Sequence, residues 1–88
     1  MNKDNYDLRL VEALIFSSEK PVNIREIKKK FPDLKNLNQI LEELKGFYKS
    51  RGINLNVNDK NWYFQTSPDL SSSLIRFASD NLGFKSHP

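Results

Sequence analysis

An α+β domain is the fold class that this 88-residue sequence predicts, specifically a winged helix: a three-helix core, a two-stranded β-wing and a short C-terminal helix. Three observations predict it. Apolar residues recur at helical spacing in three successive stretches before residue 50. After Gly52 the period changes from 3.6 to 2, the spacing of strands. Two alternating runs then occur, separated by Asn58-Asp59-Lys60-Asn61, which supplies turn chemistry at hairpin length. A lone hairpin is marginal in water, so its apolar face must lie on the helices.

The first helix is read over residues 7–18, where Leu8, Leu10, Val11, Leu14 and Ile15 share one broad side and Asp7 is available as N-cap. Phe16 projects away from that stripe. Pro21 breaks the helix, because it lacks an N–H and pushes Lys20 out of the α region. The segment Pro21-Val22-Asn23 sits where winged helices often place a short extra strand. Asn23 then caps a short second helix from Ile24 to Lys30, with Ile24, Ile27 and Phe31 on its buried edge. Asn36, with Gln39 three residues on, approximates a capping box for a third helix over residues 36–50. Its apolar residues Leu37, Ile40, Leu41, Leu44, Phe47 and Tyr48 span about 120° of a wheel. In the wing, Ile53, Leu55 and Val57 alternate with asparagines, and Trp62 and Phe64 flank Tyr63. Beyond Pro68, the residues Leu70, Leu74 and Phe77 predict a short fourth helix that closes the core from behind. The interior is therefore expected to hold Leu10, Val11 and Leu14, then Ile24 and Ile27, then Leu37, Ile40, Leu41 and Leu44, then Ile53, Leu55, Trp62 and Phe64, and finally Leu70 and Leu74. A single domain is expected over residues 7–79, with a flexible tail at 80–88.

Composition narrows the function. With 14 Lys and Arg against 11 Asp and Glu, the chain carries only +3, far from a nucleic-acid polycation. There is no cysteine, so disulfides and thiolate metal sites are excluded. The only histidine, His87, is one residue from the C-terminus, and without a second His or a Cys no zinc or copper ligand set exists. Glu42 and Glu43 are neighbours on a helix and point about 100° apart, too divergent to flank one bond. No glycine-rich phosphate loop is present. No enzyme activity, metal or cofactor is expected. No apolar run approaches the roughly 18–20 residues of a membrane span, and the first residues lack the basic start and apolar stretch of a signal peptide. A cytoplasmic protein is expected.

Two kinds of binding module remain. A winged helix that reads DNA inserts its third helix in the major groove. Here Asn38 and Gln39 could contact adenine edges, and Lys28, Lys29 and Lys30 form the one basic cluster. Against this, the exposed face of that helix (Asn38, Gln39, Glu42, Glu43, Lys45, Gly46, Lys49) sums to zero charge. Nucleic acid binding is thus expected to be at most weak and non-specific, with a transcription regulator as the alternative reading. A protein-contact module instead uses apolar residues that leave their elements' main stripes. Phe16, Tyr63 and Ile75 are those candidates, Tyr63 because it points opposite to Trp62 and Phe64 on its strand.

Particular strings then become informative. The run LRLVEALIFSSEKPVNIREIKKKFP is similar to the opening of ScpB, the bacterial segregation and condensation protein. Glu12-Ala13-Leu14-Ile15-Phe16 occupies the end of the family's first helix, Ser17 to Pro21 its small-residue, Glu, Pro turn, and Ile24 to Phe31 its short helix. The run LNQILEELKGFYKSRGINLNVNDKNWYFQTSPDL resembles the family's next segment: a Leu-Glu-Glu-Leu helix, a strand starting Arg-Gly-Ile, and a wing whose last strand ends in Thr shortly before Pro. The resemblance extends over about residues 8–77. One departure concerns the wing, where the family usually has glycines and this chain has Lys60-Asn61. The resemblance implies a non-enzymatic, nucleoid-associated subunit that forms a homodimer, binds the kleisin ScpA and acts through it on Smc in chromosome condensation and segregation. The family carries two winged-helix domains, the first associated mainly with dimerisation and the second with much of the kleisin grip. The sequence then reads as the first half of a two-domain subunit.

Overall fold

The computed structural model describes residues 3–82. Helix α1 (Lys3–Ser17) is followed by β1 (Val22–Asn23), α2 (Ile24–Lys30), α3 (Leu37–Tyr48), β2 (Ile53–Asn58), β3 (Asn61–Thr66), a 3₁₀ turn over Pro68–Leu70 and α4 (Ser71–Leu82). This is the winged helix the periodicities predict, with the wing widened to an antiparallel three-stranded sheet in the order β1-β3-β2. The third strand is the Val22-Asn23 pair, which aligns Val22 with Trp62 and Asn23 with Asn61.

Local chemistry accounts for most boundaries. Asn23 takes extended φ/ψ, and its side-chain oxygen accepts from the Arg25 N–H at 2.9 Å, satisfying one of the orphan donors of α2. Its Nδ2 donates to Asn61 Oδ1 at 3.0 Å, so one residue both starts α2 and pins β1 to β3. Helix α1 starts four residues before the expected boundary, which places Asp7 inside the helix and not at its cap. The expected capping box at Asn36 is absent: Asn36 sits in the left-handed region at φ 58° and makes no side-chain cap bond. Asn tolerates that conformation better than most residues, and its carbonyl still accepts the Ile40 N–H at 2.9 Å. The far end of α3 is closed from the wing, where Asn54 Nδ2 donates to the Tyr48 carbonyl at 2.8 Å.

The β2–β3 turn is the residue pair Asp59-Lys60, with φ of 54° and 69°. Two positive φ values in a two-residue hairpin loop give the twist that matches the strands, the geometry of a type I′ turn. Lysine lacks glycine's freedom there. Lys60→Gly is therefore expected to raise stability by about 0.5–1 kcal/mol, read as a higher urea midpoint at unchanged slope. Lys60→Val, at the same φ, is expected to lower it.

The core lies where α1, α2 and α3 meet the inner face of the sheet. Leu41 and Val11 are fully buried, and Leu55, Leu44, Ile15, Ile27, Leu37, Ile40, Trp62 and Val22 are nearly so. The register puts Leu55 opposite Phe64 and Val57 opposite Trp62, so the wing's apolar residues share one face. Ile15 and Val22 join the expected interior. Leu10, Leu14, Ile24, Ile53 and Phe64 are half-buried around it.

Two expected core residues are not in the core. Leu70 and Leu74 are 37% and 43% exposed, and Phe77 is 60% exposed. The 3₁₀ turn leads α4 away from the sheet, and α1–α3 with the wing already close the interior. A radius of gyration of 15.7 Å, against about 12 Å for a compact chain of this length, reflects that extension. Helix α4 continues through Leu82, past the expected end of the domain at residue 79. Of the tail expected at 80–88, residues 83–88 lie outside the described residues, as does His87.

Candidate functional site

Surface apolar residues gather in two places. The first is an aromatic ridge built from the ends of α1 and α3 and from β3. The Phe16 ring meets Phe64 edge-on at 6.4 Å between centroids, Phe64 meets Tyr48 at 5.0 Å, and Tyr48 meets Phe47 at 5.1 Å. Edge-to-face contacts at these distances suit the ring quadrupoles. The Arg51 guanidinium caps the series 5.0 Å from the Phe47 centroid. Both ends are open: Phe16 is 72% and Phe47 59% exposed.

The middle of the ridge is held by a polar contact. The Tyr48 hydroxyl donates to the Glu12 carboxylate, tying α3 to α1. That bond, reinforced by burial and by the Glu12 charge and opposed by Arg51, holds the Tyr48 phenol above its ordinary pKa of 10.0. A raised folded-state value means that the folded chain keeps its proton longer, so this contribution is present below about pH 10 and is lost as pH rises through the shifted value. Tyr48→Phe is expected to cost about 1 kcal/mol near neutral pH. It should also flatten the decline of stability above pH 10, read from urea midpoints between pH 8 and 11.

The second apolar surface is on α4 and its approach. Leu70, Leu74, Ile75 and Phe77 are all substantially exposed, Ile75 at 62%. On a wheel these residues and Ala78 occupy one broad side, while Ser72, Ser73 and Arg76 take the other.

Sequence-derived candidates divide accordingly. Phe16 belongs to the ridge and Ile75 to the α4 face. Tyr63 lies on the sheet face opposite Trp62, paired with Asn56, but is half-buried where open exposure was expected. The reason is topological: β3 is the central strand, flanked by β2 along its length and by β1 beside Trp62. Lys28, Lys29, Lys30, Asn38 and Gln39 are all exposed, the lysines on α2 and the other two on α3. An open cleft between α3 and β2 is lined by Glu42, Lys45, Gly46 and Lys49 with Asn54, Leu55 and Asn56. Among the described residues no group of three His, Asp or Glu could hold a metal ion, and no helix is long and apolar enough to cross a membrane.

The ridge's partners Phe47, Tyr48, Glu12 and Arg51 were not singled out from sequence. A signal for Phe47 existed, since it falls at the margin of the α3 stripe. The Glu12–Tyr48 bond had none, because the two residues are 36 apart in sequence.

Comparison with known proteins agrees with this architecture. A chain of the Chlorobium tepidum structure described as a conserved hypothetical protein superposes with a TM-score of 0.68 at 27% identity, covering 92% of this chain and 52% of that one. The Coxiella burnetii (strain RSA 493 / Nine Mile phase I) protein described as Segregation and condensation protein B homolog is 31% identical, over 76% of this chain and 34% of its own length. The chain thus spans about a third of that curated relative. The sequence pattern of the family described as Segregation and condensation complex subunit ScpB matches residues 9–84. With the helix–wing order, the matched span and the curated relative in agreement, the chain belongs to the ScpB family.

Proposed function

We propose that this chain is a non-catalytic assembly module of a segregation and condensation complex, and that it pairs with a second copy of itself through the apolar face of α4. The observation that carries the reading is that face. A 12-residue helix is marginal as an isolated helix in water and derives most of its stability from packing, yet residues 71–77 of this one are exposed in the monomer. A second copy presents the same stripe, so a two-fold axis makes it self-complementary. The folding unit is the domain over residues 7–79, and its partners beyond the dimer are the kleisin ScpA and, through it, Smc on the nucleoid. ScpB family membership supports the complex. The neutral outer face of α3 favours protein assembly over the alternative of a sequence-reading transcription regulator, since Glu42 and Glu43 would face phosphate.

Light scattering during size exclusion, at two protein concentrations, tests the dimer. The expected mass at high concentration is twice the 10.3 kDa of the monomer. A strict monomer at both concentrations would overturn the reading.

A further inference from the structure

The positive charge of the chain is concentrated in one short segment. Residues 20–35 hold six cations against two carboxylates, a net +4 where the whole chain carries +3. Helix α2 turns part of that surplus into a face. At about 100° per residue, Arg25, Lys28 and Lys29 fall within about 100° of one another, on the side away from the buried Ile27. All three are exposed, and no carboxylate of the described residues lies within ion-pair distance of them. Lys30 is on the flank, 3.7 Å from the Glu26 carboxylate. At the other end of the helix the Ile24 N–H donates to the Lys60 carbonyl at 3.1 Å, which brings the wing turn against the start of α2.

The chemistry of this face selects its partner. Like charges at i, i+3 and i, i+4 repel, and an anionic surface relieves that repulsion. The large exposed apolar residues are on α1, α3, the wing and the α4 region, and none is on α2. Protein interfaces have an apolar core and are depleted in lysine, so this face lacks what an acidic protein would need to bury. It also lacks the aromatic platforms that hold single strands. We propose that Arg25, Lys28 and Lys29 form a contact for the phosphate backbone of duplex DNA, independent of sequence and separate from the dimer surface on α4. Helix α3 reads no bases in this contact.

Fluorescence anisotropy of a labelled random-sequence DNA duplex, titrated with the full chain, tests the proposal. About three neutralised phosphates predict a slope near −3 in log affinity against log salt, a loss of roughly 50-fold between about 50 and 200 mM. The triple variant Arg25→Gln/Lys28→Gln/Lys29→Gln is expected to weaken binding at least about tenfold with an unchanged circular dichroism spectrum, since all three positions are exposed. Lys45→Gln/Lys49→Gln, which removes one cation from α3 and one from its C-cap, should leave affinity within about twofold, as should Asn38→Ala/Gln39→Ala. No binding at the lowest salt, an equal loss in the α3 variants, or binding of polyglutamate in preference to duplex would each overturn the assignment.

Discussion

Leu41→Ala is expected to lower the unfolding free energy by about 3–4 kcal/mol, because Leu41 is completely buried and its truncation leaves a cavity in the core. It stands on α3 among Val11 and Ile15 of α1, Leu44 on its own helix and Leu55 of the wing, all buried. Removing its side chain takes contacts from each of the layers that meet there. For a domain of this size each kcal/mol shifts the melting temperature by about 4–8 °C, so the expected drop is roughly 12–30 °C. A domain this small has only about 5–10 kcal/mol in total, and the variant should show a population of unfolded chain well below the parent's transition. Thermal and urea unfolding monitored by Trp62 fluorescence measure it. Phe47→Ala, on the same helix but 59% exposed, is the matched comparison and should cost under about 1.5 kcal/mol.

The α4 surface predicts the opposite pattern: little change in the folded monomer and a large change in association. Leu74→Gln/Ile75→Gln keeps good helix formers at both positions and removes the apolar groups that are 43% and 62% exposed. Exposed substitutions usually shift stability within about 0.5 kcal/mol, so the monomer's unfolding at low concentration should be nearly unchanged. If these side chains sit at the centre of a dimer contact, each truncation costs about 1–2 kcal/mol of association, and the dissociation constant rises at least about 30-fold. Sedimentation equilibrium of parent and variant measures it. Arg76→Gln, on the polar side of the same helix, should leave association within about threefold. A double variant that dimerises as tightly as the parent would place the contact elsewhere, with the aromatic ridge ending at Phe16 as the next surface to substitute.

The fold was legible wherever local chemistry and periodicity agreed. The stripe of α3, the N-cap at Asn23 and the alternation of the wing each appear in the structure as the sequence predicts. The short strand at Val22-Asn23 was legible only through the fold, since two residues have no periodicity of their own. Asn36 shows the limit of a local rule. A capping residue at the right spacing was present, yet the chain's path into α3 required a left-handed residue, and the side chain was not used as a cap.

The candidate site was less legible, for a single reason. A hydrophobic stripe reports that a helix has an apolar face, not what covers it. Leu41 and Leu74 carry the same side chain on helices of the same length, and one is fully buried while the other is 43% exposed. The difference is set by the turn at Pro68–Leu70, which directs α4 off a core that three other helices have already closed. In the same way Phe16 of α1 and the Phe47-Tyr48 pair of α3 become one ridge only because Phe64 of β3 stands between them, three elements far apart in sequence. By itself the sequence determined the elements, their order, the absence of cysteine chemistry and the family resemblance, because these depend on residue type and spacing. Only the tertiary structure decided which apolar faces are interior and which are offered to partners, because burial depends on contacts between segments that no local pattern encodes.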